Sequence, residues 1–310
     1  MNPRFLFGPV NSRRLGRSLG VDLLPFKTCS LDCIYCECGF TTRHTMRRDA
    51  FVPTDDVIRE LDEVLGSDPD IDYVTFSGAG EPTLHAGIGK VIDYLKHRHP
   101  RFRVAVLTNG TLLGDPVVQA QLARADLVVP SLDGATEAAF GAICRPVPGL
   151  AVQAVIDGIA AFRRGFAGQM LLEIFIVPGI NDRPEELAAL KQAATIIAPD
   201  AIQLNSLDRP APGGGVGVAG PDALLAIRAF FRPLQVQLVR RRGQGEAAPW
   251  SDPVVGQEVL RSIESTPASL AQLSLVTGIR EGDMAKILAR MAEDGLVHVS
   301  PGDAALWQRR

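Results

Sequence analysis

Eight consecutive residues, Cys29-Ser30-Leu31-Asp32-Cys33-Ile34-Tyr35-Cys36, hold three of the chain's five cysteines. The C-x₃-C-x₂-C spacing lets a compact loop turn all three sulfurs onto one soft metal centre, and thiolates are the ligands that iron–sulfur clusters require. A cubane cluster has four irons, so three thiolates leave one iron open to a reactant if Cys38 stays out. The spacing alone also allows a structural zinc with Cys38 as its fourth ligand, a disulfide, or thiols without a special role.

Chemistry of this kind needs a body to position it. The 310 residues suffice for one large domain and one small one. Hydrophobic residues make up 46% and charged residues 22%, the balance of a soluble globular protein. No apolar run is long enough to span a bilayer. Met1 to Pro9 lacks the layout of a signal peptide, so the expected location is the cytoplasm, where thiols stay reduced and a disulfide is disfavoured. The net charge of −3 gives no overall attraction to nucleic acid or to an anionic membrane. Basic surface must then be local. Arg13, Arg14 and Arg17 before the cysteines, and Arg43, Arg47 and Arg48 after them, are the candidates. They would hold an anion, face a site mouth, or be solvated. His44 reads as a surface residue.

The spacing of apolar residues predicts the elements. Gly20–Leu24 is a short first strand. A helix follows over Thr54–Leu65, with Thr54 as N-cap. Strands are expected at Ile71–Phe76, Arg103–Leu107, Leu127–Pro130, Met170–Val177, Ala201–Leu204 and Val236–Val239. Helices alternate with them at Ile88–Lys96, Pro116–Ala123, Leu150–Arg164, Pro184–Ile197 and Leu224–Phe231. Alternation of this kind implies an α/β fold of βα units around a parallel sheet, with its chemistry at the C-terminal ends of the strands. The informative motifs do fall there: Ser77-Gly78-Ala79-Gly80-Glu81-Pro82-Thr83, Thr108-Asn109-Gly110, Ser131-Leu132-Asp133-Gly134 and Val177-Pro178-Gly179-Ile180-Asn181-Asp182. Glycines let the backbone approach a ligand, although Asn-Gly and Asp-Gly are also ordinary turn formers.

Taken in order, with aromatic Tyr35 before the third cysteine, these motifs resemble the radical S-adenosylmethionine (SAM) superfamily across residues 5 to 240. The resemblance implies a partial (βα)6 radical SAM barrel. It implies a [4Fe–4S] cluster on Cys29, Cys33 and Cys36, whose open iron chelates SAM. The reduced cluster would cleave SAM to methionine and a 5′-deoxyadenosyl radical that takes a substrate hydrogen. Gly78, Ala79, Gly80 and Glu81 would meet the methionine amino group. Thr108, Asn109, Ser131 and Asp133 would reach its carboxylate or the ribose. Tyr35, Val177 and Asn181 would border the adenine. An electron donor such as flavodoxin or ferredoxin is implied.

The run from Phe7 to Cys36, with Asn205-Ser206-Leu207-Asp208-Arg209-Pro210, is similar to iron–sulfur oxidoreductases related to the tRNA wyosine-base synthases. Those synthases carry a second cluster on cysteines upstream of the motif, whereas here Cys29 is the first cysteine and only Cys38 and Cys144 remain. Cys38 and Cys144 read as thiols packed near the cluster, with a spare-ligand or redox role as the alternative for Cys38. The substrate class stays open between RNA, a protein or peptide, and a small molecule.

Arg209–Gly220 reads as a flexible lid by composition. A linker after Arg240 separates the barrel (residues 1–240) from a winged-helix-like domain (241–310). Helices are expected there at Pro253–Ile263, Ala268–Thr277 and Arg280–Glu293, then strands at Gly295–Val299 and Ala304–Trp307. The third helix mixes Arg280, Lys286 and Arg290 with Glu281, Asp283, Glu293 and Asp294, so it suits protein or substrate docking at least as well as duplex binding. The rival readings are a redox-sensing DNA-binding regulator and an activase that makes a glycyl radical on a partner enzyme.

Overall fold

The computed structural model describes residues 4–12, 14–207, 215–239, 259–260, 263, 267–270, 272–273, 281–300 and 306–309. An antiparallel hairpin of β1 (Leu6–Ser12) and β2 (Gly16–Val21) comes first. Two short strands, β3 (Thr28–Cys29) and β4 (Arg43–His44), bracket the cysteine loop. The alternating body follows: α1 (Thr54–Gly66), β5 (Tyr73–Phe76), α2 (Ile88–Arg98), β6 (Arg103–Thr108), α3 (Pro116–Leu122), β7 (Leu127–Pro130), α4 (Glu137–Cys144), α5 (Val152–Gly165), β8 (Gln169–Ile176), α6 (Pro184–Ile197), β9 (Ala201–Ser206), α7 (Pro221–Phe230) and β10 (Val236–Leu238).

These strands make one eight-stranded sheet in the order β1-β2-β5-β6-β7-β8-β9-β10, parallel throughout except for β1. Side chains alternate between its two faces. One face, with Val74, Val106, Leu172 and Leu204, is fully buried with Leu61, Ile92, Leu113, Ile159 and Leu190 of the surrounding helices and turns. The other gathers Leu15, Tyr73, Ala105, Leu127, Leu171 and Ala201 into a second, smaller core. The sheet is strongly curled around this inner face. Four strand steps separate β2 from β8, about 19 Å in a flat sheet. Arg14, in the β1–β2 turn, nevertheless reaches Glu173 of β8 at 2.6 Å.

Several boundaries depart from the sequence reading. The first strand lies at Gly16–Val21 rather than Gly20–Leu24, and its partner β1 was not expected. Gly8 and Pro9 interrupt the β1 pattern. They are tolerated because β1 is an edge strand whose register shifts between Phe7 and Val10. Gly20 lies under the Phe7 ring, where a Cβ would come within 2.1 Å of Phe7 Cζ. Thr54 is the first residue of α1, and extended Pro53 occupies the cap without a side-chain bond. Helix α4 was also missed. Its N-cap is Thr136, whose side chain accepts from Ala139 N at 3.2 Å, and it ends on left-handed Arg145.

Chain contacts divide the protein into two units: Met1–Leu207 with Ala211–Val239, and Arg240–Arg310 with Asp208–Pro210. In the second, β11 (Ala268–Ser269), β12 (Val297–Ser300) and β13 (Leu306–Arg309) pair in the order β11-β13-β12. Helix α8 (Glu281–Glu293) buries Met284, Ile287, Leu288 and Met291 with Val259, Ile263, Leu273 and Val297. The helix expected at Ala268–Thr277 begins later, because Ser269 and Gln272 form a reciprocal cap: Gln272 N donates to Ser269 Oγ, and Ser269 N to Gln272 Oε1. Most of Pro253–Ile263, the linker and residues 209–214 of the expected lid lie outside the described residues, as does Arg13. Among the described residues no helix is long and apolar enough to cross a membrane.

Candidate functional site

The cysteine loop leaves β3 and is held from behind by the end of α4. Ile34 N donates to Ile143 O and Asp32 N to Cys144 O, both at 2.9 Å, so the last carbonyls of the helix are satisfied by the loop they support. All five cysteines are free thiols. Cys29, Cys33 and Cys36 are half-buried, Cys38 is exposed and Cys144 is buried. Cys144 hydrogen-bonds Cys33, which with full burial raises its pKa and leaves it a packed thiol behind the loop.

Side-chain nitrogens of Lys27 and Asn109 point at the sulfurs. Lys27 Nζ lies 3.0 Å from Cys36 Sγ, and Asn109 Nδ2 lies 3.4 Å from Cys29 Sγ. Lys27 is 3% exposed. Burial by itself would lower its pKa, but the surrounding sulfurs together hold it above the ordinary value. Cys36 is lowered to about 5 by hydrogen bonds from Cys38 and Lys27, whereas burial and the nearby Glu81 carboxylate push Cys29 up to about 12. Among the described residues no three His, Cys, Asp or Glu side chains are gathered tightly enough to share one ion. A cubane instead spreads its thiolate ligands over separate irons. Three unbridged thiols on one loop, with an ammonium and an amide aimed at them, suit such a cluster.

The glycine turn after β5 is stitched to the segment leading into the cysteines. Lys27 N donates to Ala79 O at 2.9 Å, Glu81 N to Thr28 O at 3.1 Å, and Ala79 N to Asp22 Oδ2 at 3.0 Å. Gly80 permits this approach, since a Cβ there would sit 2.3 Å from Thr28 O. The Glu81 side chain points inward and is 2% exposed. Its Oε1 accepts from Thr83 N, Thr83 Oγ1 and Thr108 Oγ1, and its Oε2 from Asn109 N at 2.7 Å. Burial raises its pKa against these bonds. Glu81 therefore ties the β5 turn to the β6 turn, and the turn offers its backbone to a ligand. Asn109 continues the chain of contacts. Its Nδ2 also donates to Ser30 Oγ at 2.8 Å, and its Oδ1 accepts from Thr111.

A second network closes the far side. The Tyr35 hydroxyl donates to Asp133 Oδ2, and its ring stacks on Phe175 with centroids 3.9 Å apart. Asp133 Oδ1 accepts from Phe175 N at 2.7 Å. Asn181 Nδ2 donates to Asp133 O and Phe175 O, while Asn181 Oδ1 accepts from Val177 N. Full burial raises Asp133 to about 7 despite the bonds from Tyr35 and Phe175 N. The proton is then bound more tightly in the folded state than at the unfolded value of 3.8. The stabilisation it gives is complete below that value and is lost as pH rises through about 7. Asp133→Asn apoprotein should show a flatter stability curve between these limits in urea denaturation at stepped pH. A curve that keeps the wild-type slope would exclude Asp133 as its source.

The structure thus brings Cys29, Cys33, Cys36, Tyr35, the Gly78–Glu81 turn, Thr108, Asn109, Asp133, Val177 and Asn181 to the C-terminal ends of β5 to β8. Ser131 sits at the end of β7, its Oγ 3.4 Å from Glu173 Oε2. Lys27, Ser30, Thr111, Glu173 and Phe175 were missed. Glu173 left a signal, as the one charge inside the apolar strand Gln169–Ile176. The basic residues after the cysteines serve structure. Arg48 donates to Thr83 O, His85 O and Gln121, and Arg43 lies over the Phe51 ring at 4.8 Å. His44 bonds Ser30 O.

Comparison with known proteins agrees with this geometry. The profile described as the Radical SAM superfamily matches residues 23–190. A Brachyspira hyodysenteriae protein named GTPase Obg is 31% identical over 94% of this chain, but the chain spans only 43% of that protein's length. A UPF0026 protein of Synechocystis is 34% identical over 68% of this chain and 79% of its own. Among solved structures, a radical SAM methyltransferase from Sphaerobacter thermophilus superposes with a TM-score of 0.55 at 16% identity, covering 73% of this chain and 67% of that one, which shows a shared fold. With the profile spanning the cysteine loop and the strand-end turns described above, the chain belongs to the radical SAM superfamily, with SAM and an iron–sulfur cluster as its cofactors.

Proposed function

We propose that this chain is an oxidoreductase-type radical SAM enzyme that abstracts hydrogen from a molecule other than SAM. Cys29, Cys33 and Cys36 hold its [4Fe–4S] cluster. The carrying observation is the placement of three free thiols beside the Gly78–Glu81 turn, joined by Asn109. When bound and reduced, the cluster supplies the electron that cleaves the sulfonium of SAM. The protein's own part is positional. Gly78, Ala79 and Gly80 present backbone to the methionine end, with Glu81 fixing their turn. Thr108, Asn109 and Ser131 line the path to the carboxylate and ribose. Tyr35, Val177 and Asn181 border the adenine, and Asp133 holds Tyr35 and Phe175 in register. The exposed Cys38 is not a ligand in this reading. Adding SAM to the reduced, reconstituted protein should change its electron paramagnetic resonance spectrum, because SAM binds the open iron. An identical spectrum with saturating SAM would refute the assignment.

Lys27 acts on the same centre. A buried ammonium beside Cys36 favours the cluster state carrying the extra electron. Lys27→Met should still load iron but show a more negative midpoint in a redox titration. An unchanged midpoint would limit Lys27 to packing.

The resemblance to the wyosine-related group favours an RNA substrate, while the net charge of −3 opposes it. The strand order β11-β13-β12 beside α8 supports reading the C-terminal unit as a winged-helix-like module that docks a substrate or partner. An electron donor of the flavodoxin or ferredoxin type completes the proposal.

A further inference from the structure

Asp22 follows β2 directly, and backbone pairing continues past the strand on both sides. Asp22 N donates to Phe5 O at 2.8 Å, and Ser77 N donates to Val21 O at 3.2 Å. Side chains alternate along a strand. Ser18 stands level with Tyr73 of the inner core, and Gly20 with Thr75, whose hydroxyl bonds Ser18 on that same face. Two residues beyond Gly20, Asp22 therefore turns to the inner face of the sheet, at the height of the Gly78–Glu81 turn.

Its Oδ2 accepts from Ala79 N at 3.0 Å and its Oδ1 from Leu24 N at 3.2 Å. The carboxylate lies against Gly78, whose φ of +141° and lack of a side chain make room for it: a Cβ there would sit 2.3 Å from Asp22 Cγ. An ionised carboxylate can accept about four hydrogen bonds, so each oxygen keeps a free position. Asp22 is half-buried, and no cation among the described residues pairs with it. Burial raises its pKa, and the bonds from Ala79 and Leu24 offset that only in part. A partly desolvated negative charge is thus held at the turn assigned to the methionine end of SAM, and such charges ordinarily have a partner of opposite sign. We infer that Asp22 binds the α-ammonium of SAM and so sets which way the amino-acid end of the cofactor lies.

Charge, donors and place select that group. SAM carries an ammonium, a sulfonium and one carboxylate, so it is a cation overall. Of its two positive groups only the ammonium has N–H donors for the free positions on Asp22. The methionine carboxylate is repelled from the same spot and is left to the side of Thr108 and Asn109, in keeping with their assignment. Holding the Ala79 peptide does not by itself call for a charge. A serine or asparagine oxygen would accept from Ala79 N without the desolvation penalty of a carboxylate. The inference rests on the assignment of the Gly78–Glu81 turn to the methionine end, and it adds a side chain from outside that turn.

The test is anaerobic titration calorimetry of the full-length, cluster-loaded protein with SAM, S-adenosylhomocysteine and methylthioadenosine. S-adenosylhomocysteine keeps the ammonium but lacks the sulfonium charge, and methylthioadenosine lacks the amino-acid end altogether. Asp22→Asn and Asp22→Ser should each weaken SAM and S-adenosylhomocysteine about tenfold or more and leave methylthioadenosine unaffected. Asparagine keeps the shape and one acceptor, so a residue that only held Ala79 would tolerate it. The proposal is overturned if Asp22→Asn binds S-adenosylhomocysteine like the wild type, if SAM alone is weakened, or if methylthioadenosine is weakened as much as the other two. Iron content and circular dichroism on the same samples separate loss of affinity from loss of fold. Wild-type protein that binds neither SAM nor S-adenosylhomocysteine refutes the site assignment itself, whereas wild-type binding that Asp22→Asn retains refutes only the role of Asp22.

Discussion

A Cys33→Ala protein is expected to fold, to retain little iron after reconstitution, and to form no 5′-deoxyadenosine. The half-buried side chain packs at the edge of the core, so truncation should cost about 1 kcal/mol or less of stability. A cluster needs a thiolate on each of three irons to leave only the fourth open. With one removed, the cluster loses its anchorage and the site loses the defined open position. The same loss is expected for Cys29→Ala and Cys36→Ala. Cys38→Ala should keep iron, spectrum and activity, because Cys38 is exposed and its Sγ hydrogen-bonds Cys36 and Gly78 O rather than serving as one of the three cluster ligands. Iron and sulfide analysis with circular dichroism separates these cases. A Cys38→Ala protein that fails to load iron while Cys33→Ala succeeds would reverse the ligand assignment.

The second large effect is expected at Glu81. Its carboxylate is the acceptor for donors from Thr83, Thr108 and Asn109 in a region excluded from water. Glu81→Ala leaves those donors buried and unmet, each costing about 1–3 kcal/mol before relaxation. A loss of roughly 3 kcal/mol or more in urea denaturation is expected, together with weaker SAM binding, since the β5 and β6 turns lose their tie. Glu81→Gln should be milder. It keeps the shape but sets an NH₂ against one of the donors. Because burial raises the Glu81 pKa, its ionised form carries a desolvation penalty that grows as pH climbs above the unfolded value of 4.5. The carboxamide escapes that penalty, so the gap between Gln and wild type should narrow at neutral pH. An alanine variant within about 1 kcal/mol of wild type would show that the turns hold without this carboxylate.

Local chemistry in the sequence carried most of this fold. Strands and helices of the alternating body are written in local periodicity, and helix Pro184–Ile197 agrees residue for residue. Helix α4 escaped because it is short, contains Gly141 and shows little amphipathic contrast. Strand β1 escaped because Gly8 and Pro9 disguise an edge strand. The motif residues of the site were legible as strand-end turns, since a parallel sheet must place such turns together. Their division of labour was not. That Glu81 serves its neighbours and Lys27 points at a thiol depends on which way each side chain turns. Arg14 and Glu173 are distant in sequence and four strand steps apart, and meet only because the sheet curls. No local pattern encodes that contact.

The most direct measurement is anaerobic: reconstitute the full-length protein, add SAM and dithionite, and quantify 5′-deoxyadenosine and methionine against the Cys33→Ala control. The account predicts both products in equal amounts from the wild type and neither from the control. A wild-type protein carrying a full [4Fe–4S] complement that forms neither product, alone or with bulk RNA and cell extract added, would contradict it.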